Sequence, residues 1–282
     1  MTSPHTSPSS LIRRRRRVVE LPESDPVIDA MPPALRQDVA KTWERRAHEE
    51  LKVAAAFSVL TRELLETRGD PMVLAGISRG VNDEVRHAEV CRSLAGKYRG
   101  AEVPWPAEVV IEPSTRADDR RLRTAFHVVS MCCVNEAIAS SYLDASLAGA
   151  QSPSARIAVG ELLADEVEHA RLGWIFLARL PSPYRAAIES NLLTLVRPVW
   201  QCWWDATHVT LRDGAPEHGL PSVATTRSCA IAALRDIVAP GFAELGFDVG
   251  PLLEWIRRAT ADHAVAPSSL LTEPSRLENA ST

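Results

Sequence analysis

The chain is poor in features that staple, span or stack. Its five cysteines, Cys91, Cys132, Cys133, Cys202 and Cys229, are odd in number and contain no Cys-x-x-Cys pair. That excludes a simple disulfide framework and a zinc knuckle, and the thiols are expected to be buried in a reducing compartment. Aromatic residues make up only 5% of the 282 positions, which argues against sheets rich in aromatic and β-branched side chains. No apolar run approaches the ~18 residues of a membrane span. No apolar segment follows Arg13 to Arg17 before Pro22, so a secretory signal is not indicated and a cytoplasmic location is expected. The net charge of −4 is spread along the chain. The one basic run, Arg13 to Arg17, sits in a stretch rich in Ser and Pro and reads as a solvated tail rather than a nucleic-acid surface.

What is present is Ala, Leu and Val in helical register. Hydrophobic residues are 45% of the chain and charged residues 24%, enough for a sizeable core, so the fold class expected is all-α. Pro33 to Glu66 carries one stripe, Trp43, Ala47, Glu50, Ala54, Phe57 and Leu64. Asp70 and Pro71 cap and open a second helix, which runs to about Tyr98 and stops at Gly100, with Leu74, Ile77, Val81, Glu84, Ala88, Cys91 and Ala95 in line. Residues 101 to 117 hold three prolines and no helical period, so they read as a long connection. A third helix is expected from Asp118 to Ala148, with Val129, Cys132, Cys133, Glu136, Ser140, Leu143 and Leu147 on one side. A fourth is expected from Ser154 to Leu180, with Val159, Leu163, Glu166, Ala170, Gly173 and Leu177 aligned. Two or three further helices follow, around 183 to 209, 223 to 244 and 250 to 262, and Trp200, Trp203 and Trp204 are expected to pack there. The organisation predicted is a disordered tail over 1–32, a bundle over 33–180, added helices over 181–263 and a second disordered tail over 264–282.

Each bundle helix thus has a glutamate inside its apolar stripe. Two of the four share a phrase, DEVRHA at Asp83 to Ala88 and DEVEHA at Asp165 to Ala170. Residues three apart on a helix converge, so Glu84 with His87, and Glu166 with His169, can each reach one ion. An ionised carboxylate on an apolar face costs several kcal/mol unless it is paired. Four of them, Glu50, Glu84, Glu136 and Glu166, are tolerable in one core only if cations sit among them. Two divalent ions balance four carboxylates, and donors that are oxygen and nitrogen without thiolate suit iron or manganese. A single Glu-x-x-His is weak, since composition alone yields about 0.6 by chance. Two in one frame, each some 30 residues after a lone core glutamate, are specific; the competing reading puts these Glu and His on solvent-facing sides. Asp83 and Asp165 are candidates to orient the histidines, each on its own helix or across to the facing one.

These residues make the chain resemble the ferritin-like di-iron carboxylate superfamily over about Ala40 to Leu180. Glu50, Glu84, His87, Glu136, Glu166 and His169 fall on its six-ligand pattern. The resemblance implies a four-helix bundle with a long crossover between helices two and three, the extra C-terminal helices lying outside it. It implies two Fe ions, with Mn or a mixed Mn/Fe pair also compatible, activating O2 against a small organic substrate in an apolar pocket. Electrons would come from a separate reductase, because no flavin or nicotinamide fingerprint is visible, and Glu136 and Glu166 would be the carboxylates that shift. Cys91 stands where a radical-forming reductase subunit would have tyrosine, and Leu162 where arylamine N-oxygenases add a histidine. The absence of rubredoxin-like cysteines counts against a rubrerythrin. Small residues near the ligands, Ala47, Ala54, Gly80, Ala88, Ser140, Ala170 and Gly173, are expected to leave room for the pocket or simply to pack.

Two other functions are carried forward: a ferroxidase or peroxide scavenger, and a metal-free helical interaction protein. A homodimer is compatible with each. Glu49 competes with Glu50 for the first ligand position; Glu50 is preferred because Trp43, Ala47, Ala54 and Phe57 share its face. His48, His127 and His208 are expected to be surface or core histidines.

Overall fold

A computed structural model describes residues 19–110, 117–205 and 213–264. The described residues form helices and no strand, and none of the helices is long and apolar enough to cross a membrane. The basic run, His208 and the segment after 264 lie outside the described residues.

Helix α1 is a single turn, Pro26–Asp29, and α2 spans Pro33–Glu66. Helix α3 spans Pro71–Arg99. It begins where the Asp70 carboxylate accepts from the Met72 and Val73 amides at 2.8 and 3.3 Å. It ends at Gly100, whose φ of 71° is the left-handed conformation that glycine adopts without strain. The third bundle rod is composite: α4 over Arg120–Val128, a π-helical segment over Val129–Asn135, and α5 over Glu136–Gly149. Helix α6, Pro153–Ala178, starts from a Ser152 cap. Beyond it come α7 (Ser182–Asp205), a 3-10 turn (Ala215–His218), α8 (Val223–Ala233), a second π segment (Leu234–Val238), α9 (Ala239–Glu244) and α10 (Gly250–Ala264). Pro240 stands in the first turn of α9 and has no N–H to donate; the π segment before it closes with the Ala239 amide donated to the Leu234 carbonyl.

Contacts at the two ends give the direction of each rod. Arg36 near the start of α2 bonds the carbonyls of Tyr98 and Lys97 at the end of α3. Glu63 near the end of α2 meets Arg123 and His127 of α4. The chain therefore leaves α3 at one end of the bundle and re-enters α4 at the other. From Arg36 to Glu63 a helix advances ~40 Å, which the link between Gly100 and Arg120 can cover when extended. Arg179 after α6 returns to Asp70, so α2 and α6 run one way, α3 and the composite rod the other.

Apolar side chains fill the bundle in two layers. One is built on Trp43, Ala47, Cys91, Leu94, Leu143 and Leu162; the other on Phe57, Leu64, Ile77, Val128, Cys132 and Leu172. The polar level lies between them. A third cluster joins the outer side of α4 to α6 with the added helices, where Trp200 stacks on Trp204 at 4.9 Å and meets Trp255 edge-on.

The expected N-terminal tail is corrected in its last part. Val19 and Leu21 pack on the bundle, and Asp25 is buried. One Asp25 oxygen caps α1, and the other accepts from Ser152 Oγ at 2.6 Å and the Ser154 amide at 2.9 Å. A carboxylate so bonded ties residues 25–32 to the start of α6, and those bonds outweigh burial and hold its pKa below the usual range. The expectation of five buried thiols is also corrected, since Cys202 is exposed.

Candidate metal centre

The four core glutamates converge. Glu50, Glu84, Glu136 and Glu166 are 5%, 0%, 1% and 3% exposed, and His87 and His169 are fully buried. Glu50, Glu84, His87 and Glu166 offer ligand atoms within 4.8 Å of one another, and so do Glu136, Glu166 and His169. These two groups can each hold one ion. Glu49, by contrast, points outward to Lys52 at 2.9 Å.

The carboxylates divide into two kinds. Glu84 sets Oε2 3.2 Å from His87 Nδ1 and Oε1 3.1 Å from His169 Nδ1. Glu166 does the converse, with Oε2 2.9 Å from His169 Nδ1 and Oε1 3.5 Å from His87 Nδ1. Each of these two has one oxygen toward either histidine. Glu50 lies 3.8 Å from His87 Nδ1, and Glu136 joins only the group that contains His169; they occupy the outer positions.

Both imidazoles present Nδ1 to this centre and turn Nε2 away. His87 Nε2 is 3.1 Å from Asp165 and His169 Nε2 is 3.5 Å from Asp83. Each aspartate of the repeated phrase thus serves the histidine of the facing helix, which sequence could not decide. Arg79 lies 3.3 Å from Asp83, and Arg86 pairs with Asp165 and with Glu161. His87 Nε2 is hydrogen-bonded to Asp165 and His169 Nε2 lies beside Asp83, which leaves Nδ1 of each ring toward the centre for an ion. Replacing Asp83 or Asp165 by Asn is expected to weaken metal binding by about 10–100-fold; competition against a calibrated chelator measures it, and unchanged affinity in both variants would refute the relay.

The electrostatics show what the donor set demands. Burial, opposed by Arg46 and reinforced by Glu84 and Glu166, pushes Glu50 up to about 8. Burial and the neighbouring Glu166 and Glu84 carboxylates push Glu136 well up. Glu84 pays a desolvation cost too, yet the charge and hydrogen bonds of His87 and His169 pull it to about 2. Burial disfavours the charged imidazoles, but Glu84 and Asp165 raise His87 to about 10, and Asp83, Glu166 and Glu84 raise His169. Four groups, Glu50, Glu136, His87 and His169, therefore lean to their protonated forms, so protons supply the positive charge the cluster needs. Glu136 Oε1 is buried and has no hydrogen-bond partner among the described residues. Oxygen and nitrogen atoms at this spacing, Glu136 Oε1 among them without a hydrogen bond, fit a pair of divalent ions.

The centre opens onto a cavity of about 600 Å³ between α2, the composite rod and the added helices. Glu50, Glu136 and Glu166 line its inner end, and exposed Arg45, Glu49 and Lys52 its mouth. Trp203 forms one wall, with its indole N–H donated to Asn135 Oδ1 at 3.0 Å and its ring 5.4 Å from that of Tyr142. None of the small residues expected to make the pocket lines this cavity. Gly80 and Gly173 instead permit close packing: a Cβ on Gly80 would lie 3.1 Å from the Phe57 ring, and one on Gly173 2.7 Å from Cys133 Sγ. Room comes from the π segment, which supplies Met131 and Asn135 to the cavity, and from Cys202, Trp203 and Val223 on the added helices. Trp200, Trp203 and Trp204 all pack on the added-helix cluster as expected, and Trp203 lines the cavity as well.

Sequence reading missed two further residues. Arg46, one turn before Glu50, bonds Glu50 Oε1 through Nε at 3.0 Å; its place at i−4 from a core glutamate was the available signal. His218 is buried, with Nδ1 3.0 Å from the Tyr98 hydroxyl and its carbonyl accepting from the Trp43 indole; nothing local marks it. His127 is engaged by Glu63 at 2.7 Å, away from the centre. The chain matches no known family model, and no curated protein or solved structure is significantly similar to it.

Proposed function

We propose that this is a ferritin-like di-iron carboxylate oxidase or oxygenase, which uses O2 to oxidise a small organic molecule. The observation that supports it best is the pairing of two ligand groups sharing Glu166 with a largely apolar cavity that ends on their carboxylates. The bundle with its long link between α3 and α4 agrees with that family's layout. Two irons, or a Mn/Fe pair, would be held by Glu50, Glu84, His87 and Glu166 on one side and Glu136, Glu166 and His169 on the other. Bound there, they supply reducing equivalents and Lewis acidity for O2 activation.

The chain's own residues do the rest. Glu84 and Glu166, each with one oxygen toward either histidine, would hold the two positions together. Asp83 and Asp165 hold the imidazoles in one tautomer. Glu136, with a free buried oxygen, is the carboxylate with most room to change its attachment. Trp203, Tyr142, Val53 and Met131 exclude water from the inner end of the cavity and hold an apolar substrate against it. Electrons arrive from a separate reductase.

A ferroxidase needs no apolar chamber of this size, and a metal-free interaction protein gains nothing from four buried carboxylates. Stepwise addition of Fe(II) under air separates these readings. Oxidation is expected to stop near about two Fe(II) per chain, the capacity of the centre. Continued turnover of tens of equivalents would instead make iron the substrate, and no uptake at all would leave the interaction protein.

A further inference from the structure

The charges around the centre do not close once it is loaded. Two divalent ions neutralise the four ligand carboxylates, while Arg79 offsets Asp83 and Arg86 offsets Asp165. Arg46 is left over. Its guanidinium is always protonated, its side chain is only 16% exposed, and it faces the Tyr142 ring at 5.1 Å. In the metal-free cluster Glu50 Oε1 holds its Nε at 3.0 Å; a metal ion on Glu50 would compete for that carboxylate. A largely buried cation without a counter-ion is costly, and Arg46 lines the cavity.

We propose that the cavity takes an organic carboxylate with an apolar body, its anionic head paired with Arg46 in the metal-loaded protein. This rests on the di-metal reading above. Arg46 and the three carboxylates share the inner end of the cavity, so the carbons next to the head lie against Glu50, Glu136 and Glu166. Val53, Met131, Ala139, Tyr142, Trp203 and Leu220 receive the apolar remainder. At the mouth, Arg45 repels no incoming anion, and Lys52 is balanced by Glu49. Without metal, Arg46 is already engaged by Glu50 Oε1 at 3.0 Å, so an incoming carboxylate has to displace that contact. Metal loading therefore favours anion binding by freeing Arg46, and an amine, which the guanidinium repels, should gain nothing from it.

The test is equilibrium binding, by calorimetry and Trp fluorescence, of phenylbutyrate, phenylbutanol and phenylbutylamine to iron-loaded protein under anaerobic conditions and to the metal-free protein. Phenylbutyrate is expected to bind the loaded protein at least about ten-fold more tightly than phenylbutanol, a difference of ~1.4 kcal/mol, and to lose that preference without metal. Arg46→Gln that retains iron should abolish the preference, and Ala139→Phe, which fills the cavity, should weaken all three probes. Equal binding of acid and alcohol to the loaded wild type overturns the inference, as does a preference that survives in iron-retaining Arg46→Gln. Should Arg46→Gln lose iron, the wild-type ratio with the Ala139→Phe control still decides. Iron analysis of the same samples judges the di-metal reading separately: wild type below about one iron per chain refutes that reading whatever the probes do.

Discussion

Alanine at Glu84 is expected to empty the metal centre, and alanine at Glu50 to remove only about half of its content. Glu84 belongs to the group with Glu50 and His87 and has an oxygen 3.1 Å from His169 of the other, so its loss would disturb both positions. Glu50 reaches only the position beside His87. Losing a supporting residue outside the ligand set already costs about 10–100-fold in affinity, and a shared ligand should cost more. Iron-supplemented wild type should carry about two metals per chain, Glu84→Ala a small fraction of that, and His169→Ala should likewise collapse. Glu49→Ala should match wild type, its carboxylate being outside and bonded to Lys52. Full metal content in Glu84→Ala, or loss of metal in Glu49→Ala with retention in Glu50→Ala, would undo the assignment.

The second large effect is thermal. A ligand at 1,000 times its dissociation constant stabilises the native state by about 4 kcal/mol, and a domain of this size shifts by ~2–4 °C per kcal/mol. Chelation should therefore lower the melting temperature by about 8–16 °C. The gap should widen with pH. Glu50 is raised from 4.5 to about 8 on folding, so its contribution to the metal-free fold is complete below 4.5 and is lost as pH rises through 8. His87, raised from 6.5 to about 10, contributes fully below 6.5 and loses that contribution as pH rises through 10. Metal displaces these protons, so binding strengthens over the interval in which the metal-free protein weakens. Scanning calorimetry at pH 6.5 and 8.5, with manganese as a redox-inert occupant, measures the difference. A gap that narrows with pH would contradict the proton-for-metal exchange.

Much of this was legible because a charge in an apolar stripe is a local signal. The span Pro33–Glu66, the cap at Asp70 and the stop at Gly100 follow from proline, aspartate and glycine doing what their backbones favour. That the four glutamates and two histidines of the centre lie together in the core was readable from helical phase combined with the repeated Asp-Glu-Val-x-His-Ala phrase. The π segment was not, because one extra residue per turn rotates the following helix without any compositional mark; yet it supplies Met131 and Asn135 to the cavity. The cavity itself was invisible for a related reason. Its walls come from α2, the composite rod and the added helices, and only tertiary structure brings Trp203 opposite Arg46. The N-terminal segment misled because Ser, Pro and Asp read as solvated, whereas Asp25 spends its charge on Ser152 and Ser154.

The crossed pairing of Asp83 with His169 and Asp165 with His87 means that the two helical hairpins meet as two subunits of a twofold dimer would, each lending the other what it keeps in its own copy of the phrase. A hairpin on its own would hold a glutamate and an imidazole with nothing to aim the ring. Damage to either copy of the phrase would therefore unseat the ring that belongs to the other.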